Sequence, residues 1–249
     1  MANVDLSKLA VREPKPAKPK RFYKTASVAP EGPPHRIVLD GKPVRTPLKK
    51  FLETDRADLA VAIAAEWDDQ VEVIAHEAMP LTRLLATAID RVGPERTTII
   101  DELIKHIDGD LLCYRAEHPA DLKARQAAVW QPILDWLSAR HGVDMAVAAG
   151  IMPAAQTPEV IAGMRAVLDR MDVLALTAAQ AAAGLSGSLA LAIALSEGRI
   201  GGAETFAAAH LDESYQMERW GEDAEAANRR EAIAADLESI AMFAELCRG

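Results

Sequence analysis

Ile37-Val38-Leu39-Asp40-Gly41-Lys42-Pro43-Val44-Arg45-Thr46 is the stretch that decides the fold class. Short β-prone runs flank Asp40-Gly41, and the glycine tolerates the positive φ that a tight hairpin turn demands. Upstream, Phe22, Tyr23 and Val28 lie in a second β-prone segment closed by Pro30, Gly32, Pro33 and Pro34. Proline cannot donate to a ladder, so these strands are confined to edges and strand ends. The reading is a small antiparallel β domain over residues 21–53, too small to be stable unless it packs on something else.

After Thr54 the apolar period becomes that of a helix and stays so. Thr54 is the expected cap of the first helix, with Leu59, Ile63 and Trp67 on one face. Pro80 opens the next, striped by Leu81, Leu84, Leu85, Ala88, Ile89 and Val92. Ile99, Leu103, Ile107 and Leu111 stripe a third, and Pro119 and Pro132 open two further segments. Thr157-Pro158-Glu159 starts another helix. Thr177 opens an alanine-rich one that either continues or breaks at Gly184-Leu185-Ser186-Gly187. Leu189, Leu191, Ile193 and Leu195 interleave with alanine, which makes that helix apolar nearly all round and places it at the centre. Gly201-Gly202 precedes one long helix to Trp220, and the last runs from about Asp223 to Cys247. The expected class is therefore α+β: the small β domain followed by a larger all-helical domain over residues 54–249. Residues 1–20, rich in lysine and proline towards their end, read as a flexible basic tail.

Composition narrows the function. A net charge of −9 and a pI near 5.2 argue against nucleic acid as the partner, since phosphates repel carboxylates. Cys113 and Cys247 make no metal-type pair and read as buried thiols of a reducing compartment. The longest apolar run, Leu185 to Leu195, is too short to cross a membrane. Asp5 and Glu13 interrupt what a mitochondrial presequence would keep free of acids, which favours the cytoplasm.

Catalytic patterns are absent. Gly184-Leu185-Ser186-Gly187 lacks the lysine of a phosphate loop. His76-Glu77 begins a zinc-protease pattern, but Pro80 stands where the second histidine belongs. His106 and Asp110 lie one turn apart and read as the polar face of the third helix. Cys113 reads as core. The expectation is no cofactor, no metal and no catalytic group.

The most informative segment is Leu211-Asp212-Glu213-Ser214-Tyr215-Gln216-Met217-Glu218-Arg219-Trp220-Gly221-Glu222-Asp223. Asp212 or Glu213, Gln216 and Trp220 recur at helical steps, with Gly221 as a C-cap. Three readings stay open: a solvated helix face, a protein interface anchored by Trp220, or paired carboxylates doing acid–base work in a hydrolase.

Several ordered pieces carry a resemblance. They are Arg21-Phe22-Tyr23-Lys24, Leu39 to Pro47, Glu66-Trp67-Asp68-Asp69-Gln70, Met79 to Leu84, Thr87-Ala88-Ile89-Asp90 and Asp110 to Arg115. Trp130 to Leu134, Ser188 to Ala192 and Glu213 to Gly221 complete the series. Together they resemble the assembly factors of F-type ATP synthase that chaperone its alpha subunit in mitochondria and alpha-proteobacteria. The resemblance implies a β-rich N-terminal and a helical C-terminal domain, no enzymatic activity, and the free alpha subunit as partner. It carries over Trp67 and the acidic position before Tyr215-Gln216 as partner-binding candidates. Family members have a longer acidic run there; this chain offers Asp212 and Glu213, then Ser214. A monomer is expected, cytoplasmic in a bacterium or in the mitochondrial matrix of a eukaryote. A generic protein adaptor is the remaining alternative.

Overall fold

Asp40 and Gly41 take φ values of 48° and 77°, the left-handed pair that closes a two-residue hairpin. A computed structural model of the protein describes residues 19–150, 155–221 and 224–248. The expected tail over residues 1–20 therefore lies outside the described residues, apart from Pro19 and Lys20. The hairpin joins β2 (His35–Leu39) to β3 (Lys42–Pro43), with Leu39 opposite Lys42. Strand β1 (Ala26–Val28) pairs antiparallel with β2, Val28 opposite Ile37. Strand β4 (Glu53–Thr54) pairs with the start of β2, His35 opposite Thr54. The whole sheet is thus organised on one strand of five residues.

Thr54 belongs to that sheet and does not cap the first helix. Helix α1 (Ala57–Asp68) starts after Arg56, and the Thr54 hydroxyl instead accepts the Arg56 N–H at 3.2 Å. Leu59, Ala60, Ile63, Ala64 and Trp67 form its buried stripe against β1 and β2, which supplies the cover so small a sheet requires. Glu66, on the same helix, caps α2 (Pro80–Thr87): its carboxylate accepts the N–H groups of Leu81 and Thr82 at 2.7 and 2.8 Å. A π-helical turn, Ala88–Val92, follows α2.

Helix α3 (Arg96–Lys105) is shorter than its apolar stripe suggested. Ile107 and Leu111 fall in two separate 3₁₀ turns, Ile107–Gly109 and Leu111–Cys113. Between them Asp110 is 1% exposed and is no part of a polar face. After β5 (Tyr114–Arg115) comes α4 (Ala120–His141), a single helix with Pro132 inside it. The proline breaks nothing because Ala128, whose carbonyl loses its partner, and Pro132 itself both lie on the exposed side. Trp130, Ile133, Leu134 and Leu137 hold the opposite side in the core.

Strand β6 (Ala148–Ala149) pairs parallel with β5, and α5 (Pro158–Arg170) begins at Thr157, which caps it as expected. Helix α6 (Val173–Ser186) is capped by Asp172, so Thr177 lies inside it, its hydroxyl donating to the Val173 carbonyl at 2.7 Å. The chain breaks at Gly187, with φ of 67°, and Ser188 caps α7 (Leu189–Ser196). All eight residues of α7 are buried, packed among α6, α4, α8 (Gly202–Ala209) and α10 (Ala224–Arg248). A Cβ on Gly202 would meet the Glu238 backbone at 2.6 Å, so only glycine lets α8 sit this close to α10. The expected long helix to Trp220 is in fact two, α8 and α9 (Leu211–Trp220), parted at His210. Trp130 Nε1 donates to the Ala208 carbonyl at 2.8 Å and takes the acceptor a continuous helix would use.

Asp110 fixes where α7 begins. Its Oδ2 accepts the N–H groups of Leu189 and Ala190 at 2.7 and 3.1 Å, and its Oδ1 accepts the Ser188 hydroxyl at 2.7 Å and the Leu112 N–H at 3.0 Å. Burial raises the carboxyl's pKa, and hydrogen bonds from Ser188, Ala190, Leu112 and Leu189 oppose that rise. Asp110→Ala is expected to cost about 3–5 kcal/mol, because it strands buried donors at a helix terminus. Asp110→Asn, which turns an amide NH₂ towards one pair of donors, should cost about 2–3 kcal/mol. Urea unfolding followed by circular dichroism measures both.

Candidate functional site

Helix α9 lies against α4 and presents most of the segment singled out in the sequence. Tyr215 is its buried anchor; its hydroxyl donates to Asp121 Oδ1 at 2.7 Å. Arg219 Nη2 donates to the other oxygen of Asp121 at 2.7 Å, and its guanidinium lies 3.7 Å from the Tyr215 ring centroid. Arg125 Nη1 donates to both oxygens of Glu218 at 2.8 Å. The hydrogen bonds from Tyr215 and Arg219 hold the Asp121 carboxyl down at about 2, and the one from Arg125 holds Glu218 below its usual range.

The two candidate carboxylates point to different neighbours. Asp212 is half-buried and accepts Gln126 Nε2 at 2.7 Å. The buried Gln126 amide also accepts the Ala116 N–H at 2.8 Å, so it clamps Asp212 in one place. Glu213 faces α10: its Oε2 lies 2.8 Å from His210 Nδ1 and accepts Arg230 Nη1 at 3.1 Å. The His210 hydrogen bond depresses its pKa. Gln216 is exposed and its side chain makes no hydrogen bond among the described residues. Trp220 ends the helix 76% exposed. Glu222 and Asp223 lie outside the described residues.

Trp67 sits elsewhere, on α1, 7% exposed, with its ring 6.0 Å from Tyr23 and 6.2 Å from His76. Its Nε1 has no hydrogen-bond partner among the described residues. It is not brought together with Asp212, Glu213, Gln216 and Trp220; it lines a separate cleft between the β-sheet and α2.

Several residues of the α9 surface were missed in the sequence: Asp121, Arg125, Gln126, His210 and Arg230. Gln126 carried a signal, as a polar residue four before Trp130 on the buried stripe of α4. The arginines carried none, because their partners lie on other helices.

The description "ATP12 chaperone protein" belongs to the family model that matches residues 20–138. Atp12 from Paracoccus denitrificans, a solved structure, is 35% identical; the match covers 92% of this chain and 98% of that one, with a TM-score of 0.85. The chain belongs to the ATP12 chaperone family. A candidate chaperone from Agrobacterium tumefaciens is 37% identical over 95% of this chain and 92% of its own, at a TM-score of 0.86. The mitochondrial protein atp12 of Schizosaccharomyces pombe is 27% identical over 215 residues, 81% of this chain and 74% of its own.

Membership in a family of chaperones makes this protein a non-enzyme, and the α+β class of the sequence reading is that of its solved relatives. The acids around α9 agree with this. General acid catalysis needs a carboxyl whose pKa is raised, whereas Asp121, Glu213 and Glu218 are all lowered by donors. Among the described residues no cluster of three or more histidine, cysteine or acidic side chains could hold a metal, and no helix is long and apolar enough to cross a membrane.

A group whose folded pKa is depressed supports the fold above its ordinary value and loses that support as pH falls through the folded one. For Asp121 this window runs from 3.8 down to about 2. Carboxyl-detected NMR should place its midpoint near the lower value, and Tyr215→Phe should move it upward by removing the leading hydrogen bond. A midpoint unchanged by that substitution would disprove the assignment.

Proposed function

We propose that this protein is an assembly chaperone of F-type ATP synthase that holds the free alpha subunit and surrenders it when beta pairs with alpha. Membership in the ATP12 chaperone family supports the chaperone role, and the ordered motifs from Arg21 to Gly221 support the choice of client. The observation that carries a protein contact is Trp220: a large indole three-quarters exposed beside a helix whose other charges are tied down. An exposed tryptophan next to an ordered polar stripe has the character of an interface anchor.

The mechanism follows from the state of the client. An alpha subunit alone exposes the surface it later gives to beta, and open apolar surface of that size invites aggregation. Trp220 and Gln216 meet that surface, with Asp212 and Glu213 supplying fixed negative charge beside them. Both carboxylates are already positioned by Gln126, His210 and Arg230, so little side-chain entropy is lost on docking. Beta then displaces the chaperone by forming the larger interface. The sequence contains no phosphate-binding loop, which favours release by partner exchange without nucleotide. The protein acts as a monomer, in the cytoplasm of a bacterium or the matrix of a mitochondrion.

Recombinant protein should keep purified alpha subunit soluble without nucleotide and release it on addition of beta, as read by light scattering and size exclusion. Trp220→Ala should weaken alpha binding roughly 30-fold, the loss of a single hot-spot side chain. Asp212→Lys should keep the circular dichroism of the parent and weaken binding at least about tenfold. No affinity for alpha in the parent protein would end this reading; full affinity in both variants would move the contact away from α9.

A further inference from the structure

The cleft beside Trp67 has a volume of about 760 Å³, within the roughly 300–1,000 Å³ of sites that enclose ligands. One wall is the loop between β3 and β4, including Pro47 and Leu48; the other is α2 and the π-helical turn, with Arg83, Ala86 and Asp90. None of its lining residues comes from α4, α8, α9 or α10, so it is distinct from the α9 surface.

Three hydrogen bonds brace the walls. Asp90 accepts the Thr46 hydroxyl at 2.8 Å and the Leu48 N–H at 2.9 Å, and Lys50 Nζ donates to the Ile89 carbonyl at 2.9 Å. They hold Leu48, 65% exposed, as a fixed apolar ledge at the rim. A leucine presented to water on a braced loop is preorganised for a contact it does not make within this chain.

The polar groups left over are donors. Both oxygens of Asp90 are engaged as described. The Glu66 carboxylate is engaged too, with the first turn of α2. The Arg83 guanidinium makes no hydrogen bond or ion pair among the described residues, although it lies within electrostatic range of Glu66. Trp67 Nε1 is a buried donor with no acceptor, an uncommon arrangement in a folded protein. That nitrogen is closed off from solvent, so an incoming acceptor reaches it only through a side-chain movement. His76, exposed on a 3₁₀ turn and edge-on to the indole, also lines the cleft.

An apolar ledge, a free cation and a donor without an acceptor complement one chemistry: an apolar residue next to a carboxylate. We propose that this cleft binds an extended segment of a partner protein in which an acidic side chain lies beside an aliphatic one. The carboxylate pairs with Arg83, and the aliphatic side chain packs on Leu48 and Pro47. An extended peptide fits better than a compact metabolite, because Leu48 offers its apolar surface at the rim, where a flanking residue would lie. This places Trp67 beside a binding site separate from the α9 surface. It rests on the chaperone reading only for the identity of the partner.

The test uses the full chain, labelled with ¹⁵N in its indoles, and the probe peptide acetyl-Leu-Asp-Leu-amide. The Trp67 indole resonance is assigned through its neighbours Tyr23 and His76. It should shift saturably with the probe, while that of Trp220 stays put. Binding should weaken about tenfold for the Asn version of the peptide, and equally for the Arg83→Ala variant, the loss of one charge-assisted contact. Arg83→Ala removes no hydrogen bond or ion pair among the described residues, and circular dichroism checks that the variant folds. No shift of the Trp67 indole up to about 10 mM peptide, the weakest binding worth calling specific, overturns the proposal. So does a shift that is indifferent to Arg83→Ala or to the aspartate, or one confined to Trp220. A protein that binds the probe but not the alpha subunit would keep the cleft and discard the client; one that binds alpha but not the probe would do the reverse.

Discussion

A helix whose every residue is buried must still find partners for its first N–H groups, and Asp110 meets that demand for α7. Each orphan donor at the start of a helix is ordinarily satisfied by a side chain or by solvent. At the centre of this protein solvent is absent, so one carboxylate takes the N–H groups of Leu189 and Ala190 while the Ser188 hydroxyl takes that of Leu191. The anion also sits at the positive end of the helix, where backbone dipoles favour it. Because Asp110 lies between two 3₁₀ turns, the same interaction ties the middle of the chain to α7 and fixes the break at Gly187. Helices α4, α6, α8 and α10 then pack around a core element whose position is already set.

The α9 surface is built on a different principle. Beyond the buried Leu211 and Tyr215, its contacts with α4 and α10 include ion pairs on largely exposed carboxylates, individually weak in water. Their value is positional: they hold the charges of α9 in a fixed arrangement beside the exposed Trp220. The Trp67 region does the opposite, with a tryptophan in the core and an apolar ledge held out by Asp90. One face is polar and braced by ion pairs; the other is apolar at its rim and braced by Asp90 and Lys50. A protein that covers another's unfinished surface needs folded surfaces of its own that hold their shape before the client arrives.

Much of this was legible in residues close together in the chain. Asp40-Gly41 declared the hairpin, the 3.6-residue stripes declared most helices, and the alanine–leucine run from Leu189 declared the central one. Errors arose wherever a distant residue overruled a local signal. Pro132 looked like a helix start, but the packing of Trp130 and Leu137 carries α4 through it. Thr54 looked like a cap, but pairing with His35 keeps it in the sheet. The long helix before Trp220 is divided where Trp130 claims the Ala208 carbonyl. The segment holding Asp212, Glu213, Gln216 and Trp220 stood out in the sequence, yet nothing local said that Asp212 would turn to Gln126 and Glu213 to Arg230.

By itself, then, the sequence determined the α+β class, the hairpin, the buried central helix and the acidic segment that ends at Trp220. These depend on backbone propensity and on periodicities of two and 3.6, which a few neighbouring residues express. Only the tertiary structure decided which charges meet, that Asp110 is a buried cap, and that Trp67 borders a cleft far in sequence from α9. Those outcomes join residues as far apart as Arg56 and Asp172, 116 positions. Their partners are chosen by how whole helices pack, and short-range spacing holds no record of that choice.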